Sequence, residues 1–334
     1  MGKQYTIIDL AKELKLHHTT VSRALRNHPD VKEKTREMVL EAARKYNYVP
    51  NSFAKSLRSS KSKTIVVMVP VIKNFFFSKV LGVITDLAFQ AGYSVMINQS
   101  NEDGKIELQN LDAIMENRVA GVIASVANVK ANKDNYLQLQ KLGIPVVLFD
   151  RFFEDPNFSK VIINNNQGAK DATEYLIESG RKNIAFYLGL EENPVFEERY
   201  HGYLGALEKH KIPVNSKLII RGGIELEDGI DLITDISKSN IEIDALLCVV
   251  DMVALGVISG SRELGIHIPG DLALIGFDNE PAGRIIRPAL TTVAQPVEKI
   301  GKSAFDLLLS NINHTAQHPE VTELKMELIK RKSA

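Results

Sequence analysis

Apolar residues recur along this chain with two different textures. In the first fifty residues they fall at helical spacing. Ile7, Leu10, Ala11 and Leu14 give one apolar face, and Thr6 stands before it with Asp9 three residues on, a capping-box start. Val21, Ala24 and Leu25 give a second short helix its buried side, leaving His18, Thr19, Ser22 and Arg23 outward. A third amphipathic helix is predicted over residues 32–46, with Val39, Leu40, Ala43 and Tyr46 turned toward the first two, and Pro50 ends the unit. Two short helices joined by a tight turn, the second carrying polar tips near its start, match a helix-turn-helix reader of DNA.

From Thr64 the apolar residues come instead as short continuous runs alternating with amphipathic stretches. Strands are predicted at 64–72, 93–99, 121–126 and 145–150, with helices at 78–91, 105–117 and 135–142 between them. The pattern then starts again, with strands at 161–164, 184–188, 218–221, 245–250 and 272–277 and helices at 168–178, 197–210, 226–237 and 252–264. A strand at 291–296 and a helix at 297–309 follow. Strand–helix alternation of this kind predicts parallel sheets covered on both faces. The expected fold is thus an all-α helix-turn-helix head on an α/β body of two Rossmann-like lobes, whose ligands bind beyond the strand C-termini.

Charge sharpens the division. The 334-residue chain is neutral overall, with 41 basic and 41 acidic residues. Residues 1–63, however, carry 14 basic and 6 acidic side chains, so the head is basic and the body correspondingly acidic. A head of that sign suits phosphate neutralisation. No apolar run approaches the roughly 20 residues of a membrane span, and the first residues lack an apolar signal core, so no membrane association or secretion is expected. The single cysteine, Cys248, lies in an apolar run and reads as a packed thiol. These features point to a reducing cytoplasm.

The ordered motifs Tyr5–Ala11, Thr20–Asn27, Val31–Arg36 and Tyr46–Asn51 resemble the opening of the lactose-repressor (LacI/GalR) family, and the resemblance continues through the body to about Arg331. It implies a DNA-binding domain at 1–49, a hinge helix and linker at 50–63, and a periplasmic-binding-protein-like effector and dimerisation domain at 64–334. Lobe one would comprise about 64–164 and 293–320, and lobe two about 165–292 and 321–331, with crossings near 164, 292 and 320.

On this resemblance the reading positions are His18, Thr19 and Arg23. A guanidinium fork at Arg23 fits the O6/N7 edge of guanine. Thr6, Thr20, Ser22, Asn27, Thr35 and Asn51 suit phosphate contacts, which position without specifying. Leu57, in the stretch matching the hinge helix, would wedge into the minor groove and kink the central step. Family members carry a small Ala-Gly pair in the turn, whereas this chain has Leu14-Lys15, so Lys15 faces a steric cost in a left-handed turn. One reader covers one half-site, so a palindrome requires a homodimer. Val80, Ile84, Leu87 and Ala88 offer a face that is either dimer surface or core.

The family's effector cleft maps onto Asp150, Arg199 and Asp278, groups able to fix a polyol by charge-assisted hydrogen bonds. Asn74-Phe75-Phe76-Phe77 resembles the family's Asn-Pro-Phe-Phe loop, and Phe76 or Phe77 would stack on a ligand or serve the core. Val250 stands where an amide commonly bonds sugars, and Ile224 where an aromatic often stacks; the chain has no tryptophan. Arg221 together with Arg199 would favour an acidic or phosphorylated ligand. No cofactor, metal set or nucleophile spacing is found, so no catalysis is expected. The expectation is a repressor of operator DNA controlled by a small polar metabolite; a solute-binding protein and a regulator governed by a protein partner are the alternatives.

Overall fold

The structure, a computed structural model, describes residues 5–48, 62–190 and 193–334. They fall into two units, one ending at Ser62 and one running from Lys63 to Ala334. Asn51 and Leu57, with the rest of the hinge stretch, lie outside the described residues.

The first unit contains α1 (Ile7–Glu13), α2 (His18–Leu25) and α3 (Glu33–Lys45). Leu10, Val21 and Val39 meet at its centre, fully buried. The capping box at Thr6 is formed: Asp9 N donates to Thr6 Oγ1 at 3.2 Å, and Thr6 N donates to an Asp9 carboxylate oxygen at 2.9 Å. Lys15 does occupy the left-handed region, at φ 52°. In α3 it is Ala42, three residues after Val39, that turns inward, whereas Leu40 is exposed, one step off the packed stripe.

The second unit holds two six-stranded sheets. The first has the order β11-β5-β4-β3-β1-β2, built from β1 (Thr64–Val69), β2 (Ser94–Gln99), β3 (Gly121–Ala124), β4 (Val146–Phe149), β5 (Ser159–Ile163) and β11 (Val321–Leu324). Its central strands β3 and β4, and β1 from Ile65 on, are buried throughout because both faces are covered there. Ile65, Val67 and Val69 point to α4 (Phe75–Gln90) and α12 (Val297–Ile312); Val66 and Met68 point to α5 (Gly104–Asn117) and α6 (Lys133–Lys141).

The second sheet, β12-β10-β9-β8-β6-β7, uses β6 (Ile184–Gly189), β7 (Ile219–Gly222), β8 (Ala245–Cys248), β9 (Ala273–Phe277), β10 (Thr291–Ala294) and β12 (Glu327–Ile329). It is covered by α7 (Asn165–Glu178) and α8 (Pro194–Lys209), and by α9 (Leu226–Lys238) and α10 (Asp251–Leu264). The short α11 (Ala282–Ile285) follows β9. Cys248 is buried in this core, where desolvation pushes its thiol up.

Two boundaries differ from the sequence reading. Residues 321–324 belong to the first lobe, because β11 adds in parallel to the edge strand β5, with Val321 opposite Lys160. β12 then pairs antiparallel with β10, so the third crossing falls between Leu324 and Glu327. Residues 293 and 294 stay with the second sheet as the end of β10. The face of α4 carrying Val80, Ile84 and Ala88 is core, packed inside its own lobe. Among the described residues no helix is long and apolar enough to cross a membrane.

Candidate functional site

In the head, α2 displays what its sequence pattern promised. Val21 and Ala24 are buried, while Thr19, Arg23 and Asn27 are exposed and His18, Thr20 and Ser22 half-buried. Arg23 makes no side-chain hydrogen bond or ion pair among the described residues, so its guanidinium is available to a partner. Thr19 differs: its hydroxyl lies 2.8 Å from Nδ1 of His17, the residue that caps α2, and would exchange that bond for a base. Thr6 likewise donates its hydroxyl to Asp9 at 2.6 Å. Asn27 ends the reader in a left-handed conformation, φ 55°. Thr35 is half-buried in the first turn of α3.

In the body, loops at the C-terminal ends of β1, β2, β4, β6, β7, β8 and β9 surround a cleft of about 640 Å³. The elements that build it are placed by local rules. Asn74 caps α4 by accepting from Phe76 N at 2.9 Å, and Asn193 caps α8 by accepting from Val195 N at 3.0 Å. Gly202 lets α8 lie against α7, since a Cβ there would meet the Asn166 carbonyl oxygen at 2.1 Å. That approach brings Arg199 of α8 to Asn165 of α7.

Arg199 is 2% exposed. Its Nε donates to Asn165 Oδ1 at 3.0 Å, its Nη1 donates to the Val249 carbonyl at 2.5 Å, and its Nη2 lies 4.0 Å from Asp278 Oδ1. The guanidinium also sits 4.2 Å from the centroid of the Phe277 ring. Burial lowers its pKa against the opposing pull of Asp278 and Asp150. Asp278 follows β9 at φ 106° and accepts from Gln295 Nε2 at 2.5 Å; burial raises its carboxyl, with Arg199 opposing. Asp150 follows β4 at φ 62° from the other lobe and accepts from Ser125 Oγ at 3.0 Å; burial raises its carboxyl too, with Arg151 and Ser125 opposing. Both aspartates thus occupy the left-handed region that L residues rarely adopt, as functional positions often do.

The sequence-derived residues Asn74, Phe76, Phe77, Asp150, Arg199 and Asp278 are brought together as cleft lining. Phe76 and Phe77 are also core: both are nearly buried, with Phe77 edge-on to Phe149 at 6.2 Å. Their neighbour Phe75, half-buried at the start of α4, is the ring most open to a ligand.

Arg221 is not part of the lining. Its guanidinium turns to Glu197 and the Gly189 carbonyl, each at 3.4 Å, so the pair Arg199–Arg221 does not form an anion site. Val250 and Ile224 do line the cleft, as apolar wall.

Sequence reasoning missed the partners that hold this set. Arg151 makes a bidentate pair with Glu102, one of its bonds at 2.9 Å, and its place beside Asp150 was the available signal. Asp251 is fully buried beneath the cleft, accepting from Thr292 Oγ1 at 2.7 Å and Glu280 N at 2.8 Å; desolvation drives its carboxyl well up. Lys73 of the first lobe and Glu225 of the second meet across the cleft at 2.6 Å. Pairing over such sequence separations leaves no local trace.

The profile of the lacI family of bacterial regulatory proteins matches residues 6–51, and that of a periplasmic binding protein-like domain matches residues 173–334. The chain is 33% identical over 329 residues to the catabolite control protein A of Priestia megaterium, covering 98% of both chains. A solved LacI family transcriptional regulator from Enterococcus faecium with bound ribose is 27% identical, with a TM-score of 0.72 over 81% of this chain and 98% of that one. The solved lac repressor dimer bound to operator and an anti-inducer has a TM-score of 0.84 at 24% identity, with 99% of each chain covered.

Proposed function

This chain belongs to the LacI family of bacterial regulatory proteins, and on that premise we propose that it is a dimeric transcriptional repressor whose hold on a palindromic operator is set by a small polar metabolite in the body's cleft. One observation carries the reading. The same chain joins a basic reader whose Arg23 is exposed and unpartnered among the described residues to a cleft in which Asp150 and Asp278 face Arg199. A solute-binding protein has no use for the first, and a constitutive DNA-binding protein has none for the second.

In this reading Arg23, His18 and Thr19 contact bases. Thr6, Thr20, Ser22, Asn27, Thr35 and Asn51 contact phosphates, and Leu57 enters the minor groove. The ligand meets Asp150 from one lobe and Arg199 and Asp278 from the other, so it binds the closed body better than the open one. It shifts the equilibrium by that difference in affinity. The cleft returns its ligand unchanged, with no catalytic step and no resident cofactor, and the protein acts in the cytoplasm. The homodimer uses the edge of the first sheet. There Met96 and Ile97 of β2 are exposed, and Phe89 at the end of α4 is 81% exposed.

Selection from a random duplex library tests this. The full chain enriches a palindrome, and Arg23→Ala loses preference at one symmetric pair of positions. Equal, salt-sensitive binding of all sequences by both proteins would reduce the head to a nonspecific basic domain.

A further inference from the structure

The charged groups of the cleft do not balance. Each cation of its wall is already matched: Lys73 by Glu225 at 2.6 Å, Arg151 by Glu102, and Arg199 by Asp278 at 4.0 Å. Asp150 shares Arg151, at 3.8 Å, with Glu102. Glu280 lines the cleft half-buried, and its carboxylate makes no hydrogen bond or ion pair among the described residues. The described lining therefore carries two more carboxylates than cations.

Three of the helix starts that open on the cleft are already capped. Asn74 takes the Phe76 amide at the start of α4, Asn193 takes the Val195 amide at the start of α8, and α9 begins with a capping box between Glu225 and Asp228.

A second observation is independent of charge. Gln295 lines the cleft at 8% exposure, and donation of its Nε2 to Asp278 fixes which way the amide faces. Its Oε1 is then a buried acceptor with no donor among the described residues. Buried acceptors of this kind are costly unless something donates to them. Asp278, Glu280 and Gln295 Oε1 thus form a corner of acceptors in which Asp278 has the Gln295 amide as donor, while Glu280 and Gln295 Oε1 have none among the described residues. The same cleft is lined by the apolar side chains of Phe75, Leu190, Ile224 and Val250.

Resting on the effector reading above, we infer that the cleft takes a cationic, hydroxylated ring, an amino-substituted sugar or polyol, whose ammonium is received by Glu280, Asp278 and the Gln295 amide oxygen. Three N–H donors on one positive centre answer three acceptors at once. The carbon-bound face of the ring lies on the apolar wall, and the remaining hydroxyls reach Asp150 and Arg199. An anionic ligand finds every cation of the wall occupied and two uncompensated carboxylates facing it.

The test is calorimetric titration of the full chain near neutral pH with matched probes. Glucosamine, galactosamine and mannosamine are each compared with the parent hexose, its N-acetyl derivative and its 6-phosphate. At least one amine is expected to bind about tenfold or more tighter than its three partners. That preference vanishes in Glu280→Gln and survives in Glu280→Asp, which keeps the charge and so separates lost recognition from lost folding. A hexose, N-acetyl sugar or phosphate that binds as tightly as its amine overturns the inference and leaves the effector reading standing. So does a preference that persists in Glu280→Gln. A panel in which nothing binds also overturns it, while the effector reading is decided separately by release of operator DNA in metabolite extract.

Discussion

Arg199 reaches to 4.0 Å of Asp278 while its other nitrogens are held by Asn165 and the Val249 carbonyl, all within the second lobe. The guanidinium is therefore fixed before any ligand arrives, and Asp150, across the cleft on the first lobe, is the group whose distance from it changes on closure. A binding site divided in this way reports the lobe angle through ligand affinity.

Removing the buried guanidinium leaves Asn165 Oδ1 without its donor and the buried Asp278 without its cation. Arg199→Ala is expected to destabilise the body by about 3–5 kcal/mol, the usual cost of orphaning one partner of a buried charged pair. Chemical denaturation of the full chain measures this. A loss below about 1 kcal/mol would mean that water replaces the guanidinium freely.

Lys15 holds φ 52° in the turn between α1 and α2, a conformation that costs a residue bearing a Cβ about 1–2 kcal/mol. Lys15→Gly relieves it, less the extra entropy that glycine loses on folding. The head's melting transition is expected to rise, with the gain bounded by about 1 kcal/mol. A fall would show that the lysine side chain contributes more than its backbone costs.

Glu280 is raised from its ordinary value of 4.5 by burial first and by Asp278 second. The folded protein then keeps this proton to a higher pH than the unfolded chain does. Stability from this group is present below the unfolded value and falls as pH rises through the folded one. Glu280→Gln removes that loss, so its melting temperature relative to the natural protein climbs from mildly acidic toward neutral pH. A difference that stays constant across the series contradicts the assignment.

The Lys73–Glu225 contact spans the cleft between two exposed side chains, at 75% and 56%. A double-mutant cycle with Lys73→Ala and Glu225→Ala is expected to give a coupling of no more than about 1 kcal/mol, shrinking with salt. Its effect falls on ligand release, seen as a faster off-rate in the single variants. A coupling of several kcal/mol would mean that the contact is desolvated in the closed body.

Much of this was legible in the sequence. The helical spacing of Leu10 and Val21 and the capping pair Thr6–Asp9 specify the head locally, and the alternating faces of Ile65–Val69 specify a sheet covered on both sides. What escaped is non-local. The β11 strand reads as second lobe by position but pairs with β5, because an open parallel edge was there to receive it. Arg221 looked like a partner for Arg199, yet Glu197 on the adjacent helix claims it first. Glu280 and Gln295 gave no signal because the corner they share is assembled only when β9 and β10 lie side by side.

The most direct measurement is the dissociation constant of the selected operator, with and without metabolite extract, for the natural chain and for Asp278→Ala. The account predicts a ligand-dependent change of about 5- to 150-fold in the natural chain. In Asp278→Ala the ligand-free affinity should be retained and that change abolished. An equal change in both proteins, or none in either, would contradict the coupling of cleft to reader on which the account rests.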